Sequence, residues 1–307
     1  LKRKAKLFVL LLIGMLVLSA CSFTQPVEDS TGKTGSLSNS DKISFSREIF
    51  PRIDGSTATI PLSEGIVMRL LKTTEEETKS FIVHNKTHSA YVNLIEGNVD
   101  IIFVTEPSSE ELQLAEDKGI ELEVVPVVKD AFVFLVNTQN PVNSLKLQEI
   151  KEIYQGKITN WKEVGGEDIE IIPYQRPKNS GSQTIMENVV MKDLEIMDAP
   201  TEFKPEDMGE LIERVAGYDN SEKALGYSVY YYASTMYTKD TIKLIGVDGV
   251  KPDKETIKNN SYPLSSAYYA VLRKDETSDS SARLLLEWLL SDEGQEVAQE
   301  SGYIPVK

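Results

Sequence analysis

The stretch Tyr174-Gln-Arg176-Pro-Lys178-Asn-Ser180-Gly-Ser182-Gln-Thr184 decides how the rest of the chain is read. An apolar run, Ile169-Glu-Ile-Ile172, enters it, and an amphipathic run from Ile185 to Met191 leaves it. That order reads as strand, loop, helix N-terminus. The first turn of a helix carries free backbone N–H groups and a partial positive charge. Ser180 and Ser182 add hydroxyl donors, Gly181 lets a ligand approach the backbone, and Arg176 supplies a fixed cation with a fork of donors. Ser180-x-x-Gln183 is also a capping box, which needs no ligand at all. Two other stretches repeat the arrangement: Gly55-Ser-Thr-Ala-Thr59-Ile60-Pro61 and, on a smaller scale, Thr87-His-Ser89. Convergence of the three would build an oxyanion site; singly, each is an ordinary cap.

Outward from this stretch, strand-like and helix-like runs alternate. Asp100–Thr105 is a continuous apolar strand of the kind buried on both faces. Glu121–Val127 and Ala131–Asn137 read as two strands, and Ile242–Val247 and Leu264–Leu272 as two more. Ser44–Asp54, Phe81–Val83 and Ala224–Tyr232 are also expected to be strands. Helices are expected at Leu62–Leu71, from Ser89 as cap through Glu96, at Glu110–Lys118, Leu147–Tyr154 and Glu206–Val215 behind Pro205, and in two segments after Ser280 and Asp292. The β-then-α rhythm predicts an α/β fold with mostly parallel sheets.

At the N-terminus, Lys2, Arg3, Lys4 and Lys6 precede an apolar run from Leu7 to Leu18 that is too short to span a bilayer comfortably. Residues 1–20 are therefore expected to be a signal peptide. It ends Leu18-Ser-Ala-Cys21, which resembles a bacterial lipobox, with Cys21 as the lipidated residue; a plain secretory signal is the alternative. Cys21 is the one cysteine, so no disulfide forms within the chain. Residues 21–41, rich in Ser, Thr and Gly, read as a flexible tether. The formal net charge is −15; residues 1–20 hold four positive and no negative charges, so the remainder carries −19. That balance argues against nucleic acid and against an anionic membrane surface as partners, but not against a small anion held by local dipoles.

Asn137-Thr-Gln-Asn-Pro-Val142, Gln155-Gly-Lys-Ile-Thr-Asn-Trp-Lys-Glu-Val-Gly-Gly166 and Arg176 with Ser180-Gly-Ser182 resemble the second lobe of the phosphate-binding proteins of ABC phosphate importers, a periplasmic-binding-protein family. Ala224-Leu-Gly-Tyr227, Tyr262-Pro-Leu-Ser265, Glu287-Trp-Leu-Leu-Ser-Asp-Glu-Gly-Gln295 and Gly302-Tyr-Ile-Pro305 extend the likeness, and the loop at 156–166 is its strongest part. The resemblance implies a two-lobed periplasmic-binding-protein type II fold with a ligand cleft between the lobes. Lobe one would comprise 42–134 plus 264–307, and lobe two 135–263. It implies a lipid-anchored solute-binding protein on the extracytoplasmic face of the cell membrane. This protein would be a monomer without cofactor, metal or catalytic residues, and would deliver phosphate or a related oxyanion to ABC transporter permease subunits. By position, Arg176, Ser180, Gly181 and Ser182 would hold the ligand from one side, and Thr59, Ile60 and Ser89 from the other. The likeness fails after Val104. Where the family has Ser-Ser-Arg, or serine followed by an aspartate that takes the proton of phosphate, this chain has Thr105-Glu106. Those two residues are the candidate proton acceptors.

Other functions fit less well. The only histidines, His84 and His88, lie far in sequence from Ser180 and Ser182, and no Gly-x-Ser-x-Gly elbow is present, against a Ser-His-Asp hydrolase. His84 and His88 have the spacing of a metal pair, but Asn85 stands where a zinc protease has glutamate. The run Tyr227, Tyr230–Tyr232 suits either sugar stacking or two faces of one strand. A surface lipoprotein that keeps the binding fold as a sensor or scaffold, without transport, stays open as the alternative.

Overall fold

The computed structural model describes residues 45–217 and 222–307. The expected signal segment (1–20), Cys21 and the whole of the expected tether (21–41) lie outside the described residues. The order begins β1 (Ile53–Gly55), α1 (Ile60–Leu71), α2 (Glu75–Phe81), α3 (Lys86–Ile95), β2 (Ile101–Val104), α4 (Ser109–Asp117), β3 (Leu122–Asn137). It continues β4 (Ser144–Leu145), α5 (Leu147–Tyr154), β5 (Ile172–Pro173), α6 (Gly181–Ile185), α7 (Met208–Ala216), β6 (Ala224–Val229), β7 (Ile242–Val247). It closes α8 (Lys254–Lys258), β8 (Ser265–Arg273), α9 (Ser281–Leu289), α10 (Asp292–Glu300), β9 (Ile304–Pro305).

The 16-residue strand β3 belongs to both lobes. Its first part pairs antiparallel with β8, from Leu122 opposite Arg273 to Ala131 opposite Ser265. Its second part pairs antiparallel with β6 over Phe132–Leu135 and with β7 over Phe134–Asn137. The partner changes between Ala131 and Phe132, where the Phe132 N–H donates to Leu264 O at 2.9 Å. All residues from Ala131 to Asn137 are buried. Each buried Val, Leu or Phe there contributes about 1.5–3 kcal/mol, so the crossing strand is also a core element. The sequence pattern split this strand in two because Lys129 and Asp130 interrupt the apolar run. In the structure both stay in the ladder, since Lys129 Nζ reaches Lys258 O at 3.0 Å and Asp130 Oδ1 accepts the Ala131 N–H at 2.8 Å.

In the first lobe, β1 runs parallel to β2, which is antiparallel to β8. In the second, β5 runs parallel to β6 and β4 to β7. The α/β class holds, but the expectation of mostly parallel sheets does not. A strand that serves both lobes must return through β8, and it sets the long central pairings antiparallel. Helix α1 buries Leu62 and Ile66 as its spacing predicts. In the loop ahead of β5, Trp161 is fully buried and its Nε1 donates to Lys223 O at 2.9 Å. A Cβ on Gly166 would sit 2.8 Å from that of Trp161, so the glycine is required by the close approach. The segment with the strongest family likeness is thus a packing motif.

Four local expectations are overturned. Between Phe45 and Phe50 the chain turns rather than extends, and the two rings meet edge-on at 5.4 Å. Phe81 ends helix α2, because the Thr74–Glu77 capping box and three glutamates in the first turn outweigh the short apolar run. Asn85, not Ser89, precedes α3, which leaves Ser89 in the first turn of that helix. The tyrosine strand stops at Val229 and the chain turns helical through Tyr230–Tyr232. No helix among the described residues is long and apolar enough to cross a membrane.

Candidate functional site

A cavity of about 200 Å³ lies between the lobes. From the first lobe it is lined by Ser56, Thr57 and Ala58 ahead of α1, by Lys86–Ser89 at the start of α3, by Thr105 after β2 and by Tyr268 of β8. From the second it is lined by Arg176–Ser182, by Glu206–Met208 at the start of α7, and by Val229 and Tyr232. The three helix starts singled out in the sequence therefore face one space, joined by a fourth at α7. Helix starts bring unsatisfied N–H groups and positive dipole ends, so the cavity suits a small anion.

Arg176 is the fixed cation of this site. It is 7 % exposed; its Nε donates to Pro205 O at 2.9 Å and its Nη2 to Glu206 O at 2.8 Å. Nη1 lies 3.4 Å from Ser182 Oγ. Burial pulls the guanidinium below its ordinary range, opposed by Tyr227, Asp207, Tyr232 and Glu206. Its backbone N–H is pinned by Tyr227 Oη at 2.8 Å and Gln183 Oε1 at 3.1 Å. Ser180 caps α6 by accepting the Gln183 N–H at 3.4 Å. The reciprocal half of the expected capping box is missing. Gln183 turns its amide to Arg176 and to Glu187, 2.9 Å away, because the arginine backbone needs an acceptor in a buried place.

The lobes touch around the cavity. Lys86 Nζ meets Asp207 Oδ1 at 2.7 Å, and Lys178 and Asn179 both reach the Glu110 carboxylate. These contacts hold the Asp207 and Glu110 carboxyls below the usual range. All four charged side chains are about half exposed or more, so water and salt screen both pairs. At the closest approach, a Cβ on Gly181 would lie 2.6 Å from Thr87 Oγ1 and 2.7 Å from Thr105 Oγ1.

Of the residues chosen from sequence, Ser89, Thr105, Arg176, Ser180, Gly181 and Ser182 line the cavity. Thr59 and Ile60 do not. Thr59 is fully buried and its hydroxyl donates to Phe103 O at 2.7 Å, which ties the loop to β2 and leaves Ser56–Ala58 facing the space. Glu106 is exposed outside the lining and accepts from Tyr269 Oη at 2.8 Å. Thr105 Oγ1 is buried, and no partner reaches it among the described residues. Thr57 and Thr87 lie inside stretches flagged for their hydroxyls. Asp207 and Tyr268 had no such signal, since each arrives from a distant element. His84 contacts Ser56 O at 2.8 Å and Ser63 Oγ at 3.1 Å, whereas His88 meets Glu111 Oε1 at 3.0 Å, so the two histidines do not form a pair.

Comparison with known proteins gives a consistent picture. The model of a PBP superfamily domain matches residues 55–293. The phosphate-binding protein PstS of Bacillus subtilis (strain 168) is 26% identical, across 99% of this chain and 95% of the relative. PstS of Borreliella burgdorferi is 24% identical, across 83% and 89%. A solved structure from Clostridium perfringens, assigned as a phosphate ABC transporter substrate-binding protein with bound phosphate, superposes with TM-score 0.62 at 27% identity, covering 86% of this chain and 100% of that one. An ABC-type phosphate transport receptor from Vibrio cholerae shares the fold, with TM-score 0.61 at 22% identity over 82% of this chain and 98% of that one.

Proposed function

Because the chain belongs to the PBP superfamily, we propose that it captures inorganic phosphate between its lobes and delivers it to the permease subunits of an ABC importer. The observation that carries this reading is Arg176, buried in a cavity where several helix starts meet. Lys86 and Lys178 are matched by Asp207 and Glu110. Among the described lining residues, Arg176 is thus the lysine or arginine that has no ion pair, and its hydrogen bonds go to neutral oxygens. An anion entering here exchanges water for Arg176, the hydroxyls of Ser180, Ser182, Ser89, Thr57, Thr87 and Thr105, and N–H groups near Gly181 and Ala58. These donors stand ready before the ligand arrives and lie in a place shielded from the negative surface. The protein binds and releases its ligand without chemical change.

Cys21 carries the lipid that holds the protein to the extracytoplasmic face of the membrane, and it works as a monomer. The lobes are 42–134 plus 264–307 and 135–263, with the hinge where β3 changes partner. The switch from β8 to β6 after Ala131 supports these bounds.

Melting of anion-free protein tests the reading. At phosphate one hundred times its dissociation constant, stabilisation of about 2.7 kcal/mol is expected, with none from a neutral sugar. No response to phosphate or any other oxyanion would favour the scaffold alternative. A second variant separates scaffold from site: Thr59→Val is expected to lose about 1 kcal/mol of stability in urea unfolding, because Phe103 O loses its donor, while phosphate affinity stays within about twofold. A tenfold loss of affinity there would return Thr59 to the ligand.

A further inference from the structure

Asp54, on β1, has no exposed surface, and neutral donors fill both oxygens of its carboxylate. Its Oδ1 accepts the backbone N–H of Gly55 and that of Asn85, both at 2.7 Å. Its Oδ2 accepts the side-chain amides of Asn85 at 2.9 Å and of Asn93 at 2.8 Å. Three of these four donors belong to α3 or to the residue just ahead of it, so the carboxylate fastens that helix start to the loop that follows β1. Both segments line the anion cavity, through Ser56–Ala58 and Lys86–Ser89. His84 braces the same junction, with Nδ1 2.8 Å from Ser56 O. Lys86 follows with φ +69°, in the left-handed region, a conformation that residues with a side chain keep only where their surroundings hold them.

Asn85 stands at the N-cap of α3, and asparagine is among the best capping residues, yet its side chain makes no cap. Asp54 has taken the amide. Helices α1 and α7, which also start at the cavity, repeat the pattern. Thr59 at the head of α1 gives its hydroxyl to Phe103 O, Asp207 at the head of α7 gives its carboxylate to Lys86, and neither caps its helix. Helices α2, α4, α9 and α10 start elsewhere, and there Thr74, Ser108, Ser280 and Ser291 do cap. Ser180 on α6 is the exception, through a long contact of 3.4 Å. Taking the ligand to be phosphate, as proposed above, we infer that Asp54 is a positioning residue of the anion site. It draws the Asn85 side chain off α3 and so leaves the first-turn N–H groups of that helix to the ligand. An oxygen of a capping side chain would compete with the anion for the same hydrogens. Asp54 itself lies outside the cavity lining and acts through Asn85.

Asn85→Ser and Asn85→Ala separate this role from a structural one. Neither side chain reaches Asp54 as asparagine does, but serine caps a helix and alanine cannot. The serine variant is expected to be the more stable of the two in urea unfolding, and to bind phosphate about tenfold more weakly than the alanine variant in calorimetric titration. A purely structural role makes the more stable variant bind at least as well, and that result overturns the inference. Asp54→Ala frees Asn85 to cap α3 and should lower the phosphate affinity of the folded protein about tenfold. Adding Asn85→Ala should then recover most of the lost affinity, even though it takes away a further polar group. An Asp54→Ala loss that the second substitution does not recover also overturns the inference. Should Asp54→Ala not fold, the comparison of serine with alanine at position 85 decides alone, because Asn85 is exposed. A parent protein that binds no phosphate overturns the inference and the functional reading together, whereas a parent that binds it while both Asn85 variants bind alike overturns the inference only.

Discussion

Arg176→Ala is expected to weaken phosphate binding by about 3 kcal/mol or more, on the order of a hundredfold, in calorimetric titrations. The reason is the state of the other cations. Lys86 and Lys178 are engaged with carboxylates at the rim, where water and salt screen them, whereas Arg176 is buried, hydrogen-bonded to neutral carbonyls and in no ion pair. Removing it takes away both the charge and a donor fork aimed along fixed directions. The same substitution leaves Pro205 O and Glu206 O without their donors, at about 1–3 kcal/mol each in stability, so folding must be checked alongside affinity. Arg176→Lys restores the charge but not the fork, and its affinity should fall between those of parent and alanine variant. A folded Arg176→Ala protein with parental affinity would mean that the anion binds elsewhere.

Gly181→Ala is the second large effect, and it separates binding from folding. Gly181 opens helix α6, where alanine is the better helix former by up to about 1 kcal/mol, so urea unfolding should show an unchanged or slightly more stable protein. The new Cβ would nevertheless sit 2.6 Å from Thr87 Oγ1 and 2.7 Å from Thr105 Oγ1, both on the facing lobe. Steric overlap of this kind costs about 1–3 kcal/mol, and here it falls only on the approach of the lobes. Phosphate affinity should therefore drop about tenfold to a hundredfold without loss of fold. Affinity within twofold of the parent would show that the lobes need not come this close around the ligand.

The readable part of the site lay in the helix starts. Ser180-Gly-Ser182, Ser89 and Arg176 stand out in the sequence because helix N-termini, hydroxyls and a nearby arginine leave a local signature, and all of them line one cavity. The misplacement of Thr59 and Ile60 has a specific cause. Two residues of the same loop compete for the inward direction, and the contest is settled by Phe103 O, which lies on another strand and takes the Thr59 hydroxyl. Glu106 failed for a similar reason, because Tyr269 of β8 draws its carboxylate to the outside. The strand expected at Phe81–Val83 gives way to a local signal, the Thr74–Glu77 capping box, which starts a helix that runs to Phe81.

The sequence by itself determined the alternation of strands and helices, the helix starts rich in donors, and the segment around Trp161 that marks the family. All of these rest on interactions spanning a few residues, where backbone preference and side-chain spacing suffice. Only the tertiary structure decided which face of each loop lines the cavity, that one strand serves both lobes, and that Asp130 comes to lie beside Tyr268. These depend on strand register and on the meeting of lobes, and both are set by partners far along the chain that no local pattern encodes.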